Sequence, residues 1–391
     1  MHPRLRAICD LTVPAAREHV GLHAYDGQLQ DLSDAALQAG IARLGGPVVA
    51  DPHDEAQLAA VEAGLQLRYG ELAEHRWNPL VHVANLDLAC YDRDYAPEAE
   101  RAEAKRRHLA GWPDAVDSAV ATLDRVPAAV AEGLLGSVEG LIADLDPRAD
   151  DVTIAAFSAH ERLVAHIRDA ADTGDPDPSL GADLLRRLLA TAEAADVDLG
   201  RLAEQADAER ERLTDLLREC CAQLRPGMNS SRADLARAVA SLQEDHPTID
   251  GVLEEARELT GEVLAWTRAS GLVPDHDGEC LVGPAPPSRS WAMAMMSPAA
   301  PYERDGPSWY HVTPPDPTWP VGEQRESLTT FSRTSLPAIT VHEVAPGHFT
   351  HFRLLRGLSS DVAAHRVLRR VRGGVGALRG GAAGRGGLPG R

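Results

Sequence analysis

The segment Asp31–Gly46, DLSDAALQAGIARLGG, reads as one helix. Leu32, Ala36, Ile41 and Leu44 recur at near-helical spacing, Ser33 stands where an N-cap belongs, and two glycines close the run. The pattern returns at Asp54–Tyr69, Ala99–Leu109, Trp112–Leu123, Ala128–Leu145, Ile154–Asp172, Leu180–Ala194, Leu202–Leu224, Ser231–Leu242 and Ile249–Ser270. That predicts about ten helices and a mainly α fold. Breakers fall between them at Arg76–Leu80, Thr173–Ser179, Arg225–Ser231 and Glu244–Asp250. All are too short for flexible linkers, so a single helical domain over residues 1–371 is expected, with a sub-boundary near 174–179.

From Leu272 the texture changes. Proline, glycine and aromatic residues crowd the next sixty or so positions. Residues 272–336 therefore read as loops and a few short strands laid over the helical body, the setting in which binding residues concentrate.

Composition narrows the function. At 391 residues and 44% hydrophobic, the chain can bury a large core. Its net charge of −20, from 59 acidic and 39 basic residues, argues against nucleic acid as a partner. No apolar run approaches a membrane span, and none of signal-peptide length precedes Arg17, so a cytoplasmic protein with no membrane partner is expected. The five cysteines, Cys9, Cys90, Cys220, Cys221 and Cys280, form no C-x-x-C and no disulfide framework. A zinc ion would have to be held by histidine and carboxylate.

ITVHEVAPGHFTHF, Ile339–Phe352, offers those groups. Zinc hydrolases need two neutral imidazoles, a third ligand and a carboxylate that can take a proton from water. His342 and Glu343 open such a motif, but His348 follows at six residues rather than four, nearly opposite on an ideal helix. Pro346-Gly347 supplies a reason for a kink or bulge in a motif helix over 337–357, which would swing His348 back towards His342. On spacing alone, a surface loop that happens to hold these residues accounts for the pattern as well.

HEVAPGHFTHF resembles the H-E-x-x-P-G-H block of the bacterial domain of unknown function 885 family, a zincin-like group of mostly helical proteins regarded as metallopeptidases. GLHAYDGQLQDLSDAAL, Gly21–Leu37, is similar to that family's N-terminal signature, and the loop from Ser297 to Pro320 to the segment before its zinc motif, so the similarity runs from about Ala15 to His365. The resemblance implies a deep cleft, Zn2+ bound by His342 and His348, Glu343 as general base, and Tyr302 or Tyr310 as donor to a developing oxyanion. It implies a peptide or related amide as substrate. His311 and His351 are lesser candidates near the site. The alternative is a non-catalytic helical binding protein that holds no metal.

The end of the chain does not continue the pattern. Arg372–Arg391 carries nine glycines, four arginines and no acid. The family's E-G-W-A-x-Y block, which would bring the third ligand, is absent here. Glycine is encoded GGN, alanine GCN and valine GTN. One nucleotide later, Val375-Gly376 therefore becomes TNG, which permits Trp, and Leu378-Arg379 becomes TNC, which permits Tyr. The shifted frame can spell FVEGWALYAEEL. A frameshift near Val371 is expected, leaving a chain without its third zinc ligand and impaired as an enzyme; the alternative is a genuine Gly/Arg-rich tail able to bind RNA through its arginines. Glu303, Glu323, Glu326, Asp361 and His365 remain as substitute donors.

Overall fold

The computed structural model describes residues 1–227, 231–303, 305–358 and 360–364. The fold is mainly α, with one small sheet. The Asp31–Gly46 segment forms a helix over Asp34–Ile41, and the Ser33 hydroxyl accepts a hydrogen bond from the Ala36 N–H at 3.3 Å. Leu32 and Leu37 are its deepest side chains; Ala36, assigned to the buried face by spacing, is only half-buried. The other expected runs are helices with shifted ends, among them Glu98–Ala110, Trp112–Thr122, Ala128–Glu139, Asp151–Thr173, Leu199–Leu224 and Gly251–Ser270.

Pro3–Asp10, Pro79–Leu86 and Val321–Thr330 are helices the periodicity did not mark. Arg76–Leu80 reads as a breaker, yet Pro79 is the first residue of a helix that Asn78 caps through a 3.1 Å bond from the Leu80 N–H. Proline at that position lacks only an N–H that no carbonyl would have accepted.

Packing divides the apolar residues into separate cores. The largest gathers Val83, Leu86, Trp112, Val116, Leu163 and Ile167 from the helices between Pro79 and Thr173. A second joins the Gly251–Ser270 helix to the sheet and to Leu336, Val341 and Phe349. An N-terminal cluster packs Leu5, Ile8, Leu37 and Leu58. Cys221 is buried with Leu235 and Ala238, while Cys220 is exposed.

The loop-rich segment carries the strands β1 (Cys280–Pro284), β2 (Ala294–Ser297) and β3 (Ser308–Val312). β3 is central, parallel to β1 with Val282 opposite Tyr310, and antiparallel to β2 with Met296 opposite Tyr310. Strand geometry sends alternate side chains to opposite faces. Ser308, Tyr310 and Val312 are buried, whereas Trp309 and His311 are half-buried on the other side.

Ion pairs fasten this segment to the helical body. Arg289 reaches Glu18 at 2.5 Å and Asp87 at 3.1 Å, and Arg93 reaches Glu303 at 2.9 Å. Burial works against the Glu18 charge, but Arg289, His19 and Arg93 outweigh it and hold the carboxyl well below the usual carboxylate range. Gly140 closes the seam further, since a Cβ there would lie 2.4 Å from the Pro287 carbonyl carbon.

Candidate metal centre

The segment expected as one kinked helix is two helices, Leu336–Glu343 and His348–Leu355. The helix stops at Glu343 because Val344 leaves helical dihedrals (φ −103°, ψ −85°), and the chain turns through a cis Ala345–Pro346 bond. Gly347 then passes against the end of the first helix. A Cβ on it would lie 1.9 Å from the His342 carbonyl oxygen and 2.4 Å from that of Val341. Only glycine lets the backbone come this close. The Thr350 N–H donates to Val344 O at 3.2 Å, and the His351 N–H to Gly347 O at 3.0 Å, which tie the second helix to the turn.

The turn absorbs the six-residue spacing. The rings of His342 and His348 meet edge to face, with centroids 4.7 Å apart. One donor atom from each of His342, Glu343 and His348 lies within 4.8 Å of the others. Around a tetrahedral zinc, neighbouring donors stand about 3.4 Å apart, so small side-chain rotations bring this group to coordination distance. Glu343 and His348 are buried and His342 half-buried. Burial lowers the His342 pKa and favours the neutral imidazole, the form that binds a metal. The chemistry and spacing of this donor set fit a zinc-type ion.

Tyr310 faces the same group from β3. It is fully buried, and its hydroxyl lies 3.3 Å from Thr340 Oγ1, one turn before Glu343. Thr340 donates its own proton to Leu336 O at 2.9 Å, which leaves its oxygen to accept from the phenol. Burial holds the Tyr310 pKa well above the usual phenol range; the bond to Thr340 opposes this, and the Glu343 charge adds to it. Thr340 was not singled out in the sequence, and its position three before Glu343 is the one signal that could have marked it.

The other candidates lie elsewhere. Tyr302 is exposed, its hydroxyl 3.5 Å from Asp361. His311 stacks on Trp309 and its Nδ1 lies 2.9 Å from Pro284 O. His351 sits on the second helix, stacked on Phe352. Among the described residues, none of Glu303, Glu323, Glu326 and Asp361 joins the donor group. His365 and Arg372–Arg391 lie outside the described residues.

A profile of bacterial proteins of unknown function, DUF885, matches residues 14–372. The chain belongs to this family. The DUF885 match ends where the glycine- and arginine-rich composition begins. Two solved structures share the fold, each described as a "putative lipoprotein". The one from Colwellia psychrerythraea is 12% identical, with a TM-score of 0.70 over 98% of this chain and 77% of that one. The one from Shewanella oneidensis, of unknown function, is 15% identical, with a TM-score of 0.63 over 98% and 76%. No curated protein matches. Among the described residues, no helix is long and apolar enough to cross a membrane.

Proposed function

We propose that this DUF885 chain is built as a zinc-dependent hydrolase of peptide or related amide bonds. The observation that carries the reading is the meeting of His342, Glu343 and His348 across the Val344–Gly347 turn. His342 and His348 are the protein ligands. A zinc ion held there would polarise the scissile carbonyl and acidify the attacking water. Glu343 takes the water's proton on its carboxylate and returns it to the leaving amine. Tyr310, kept protonated by burial, is one candidate donor to the developing oxyanion and would have to leave Thr340 to serve. Tyr302 is the alternative donor, and would have to leave Asp361 to serve.

Among the described residues, two imidazoles and one base leave the ion short of a third permanent ligand, which the shifted reading frame beyond Val371 would supply as a glutamate. On this reading the frame-corrected chain should retain zinc more tightly than the chain in its present frame. Metal analysis after exhaustive dialysis tests the assignment on a frame-corrected chain. About one zinc per chain is expected, His342→Ala and His348→Ala should lose it, and Glu343→Gln should keep it while losing hydrolysis. Full zinc occupancy in His348→Ala would overturn the ligand assignment. No zinc in the corrected parent would favour the second reading, a helical binding protein without metal.

A further inference from the structure

A cavity of about 1280 Å³ lies on the far side of β3 from the donor group, along the seam between the sheet segment and the helical body. Trp309 and His311 face into it, while Tyr310 between them faces the donors. A ligand-binding role for this cavity is therefore separate from the metal reading.

Its walls are prepared for one kind of charge. Three described cationic side chains line it, and each already closes on a carboxylate of the same wall: Arg289 on Asp87 and Glu18, Arg93 on Glu303 at 2.9 Å, and Lys105 on Asp92 at 3.0 Å. An anion entering the cavity meets no uncommitted cation among the described residues. The carboxylates are in excess, seven against three, and Asp144 stands exposed with no cationic partner among the described residues. Glu303 and Asp87, the buried carboxylates of the wall, are taken up by Arg93 and Arg289, and Asp94 pairs with Arg101, so the charge open to a ligand is the exposed one at Asp144.

The remaining wall is aromatic and apolar. His23 stacks on Tyr95 with centroids 3.8 Å apart, and Trp309 lies parallel to His311 at 5.8 Å. Leu141, Leu145 and a set of prolines complete it. Aromatic faces beside uncompensated carboxylates attract a cation carried on an apolar stem, because the ring quadrupole adds to the charge.

We propose that this cavity binds an organic cation, an ammonium group on an extended aliphatic stem. Two sources share that chemistry, the lysine side chain of a basic peptide and a free diamine. Isothermal titration of the full chain in EDTA, where zinc plays no part, tests it with acetyl-Ala-Lys-Ala-amide and with cadaverine. Saturable binding of at least one probe is expected, and the norleucine and glutamate counterparts of the peptide should bind at least about tenfold more weakly. Asp144→Asn and Trp309→Ala should each weaken the cation several-fold, with melting temperatures showing both variants folded. The stronger probe identifies the source, and either result upholds the site. Equal binding of the norleucine peptide, no saturable binding of either cation, or unchanged affinity in folded Trp309→Ala would overturn it.

Discussion

Gly347 is the position at which one atom decides the geometry. A methyl group there would sit 1.9 Å from the His342 carbonyl oxygen, well inside contact distance. The obstacle is backbone rather than a side-chain tip, so the turn must open. Gly347→Ala should cost roughly 1–3 kcal/mol of stability and should draw His348 away from His342. Thermal melting reads the first effect and chelator competition the second, on the frame-corrected chain. Parental zinc affinity in Gly347→Ala would show that the close approach does not position the second histidine.

Helices were legible where an apolar stripe repeats, and the Asp151–Thr173 helix shows what such a stripe does. It buries Ala156, Ala159, Leu163 and Ile167 on one face. Leu163→Ala should destabilise the chain by about 2–5 kcal/mol in urea unfolding. Leu185→Ala, at 46% exposed, should change it by less than about 0.5 kcal/mol. What the sequence hid were elements set by something other than periodicity. Pro79 looked like a stop and is a start. The turn after Glu343 looked like a kink, because proline and glycine signal interruption without saying how completely the helix is broken. That His342, Glu343 and His348 stand close in the sequence was plain, and the structure brings one atom of each within 4.8 Å of the others. Thr340, which receives the Tyr310 hydroxyl, was not plain, since its partner lies thirty residues away on a strand.

For the molecule as a whole, buried histidines tie stability to pH. His82 is 2% exposed and its Nε2 lies 2.8 Å from His75 O. Burial lowers its pKa from 6.5 to about 4, although the bond to His75 opposes this. As pH falls through about 6.5 the unfolded chain takes up a proton that the folded chain refuses until about 4, so stability is lost across that window and recovers above it. The loss should reach about 3 kcal/mol. His108 is shifted in the same direction, by burial first and then by Arg17. Urea midpoints measured between pH 7 and pH 4 should fall less steeply in His82→Gln than in the parent; parallel curves would remove His82 as a cause.

β3 has no free edge, and its side chains serve two compartments in strict alternation. Trp309 and His311 line the large cavity, and Tyr310 between them lies in the core beside Glu343. A change of side chain at Trp309 therefore reaches the cavity from one face of the strand while the histidine pair lies beyond the other. One strand thus forms the partition between two compartments, and neighbouring residues along it belong to different ones.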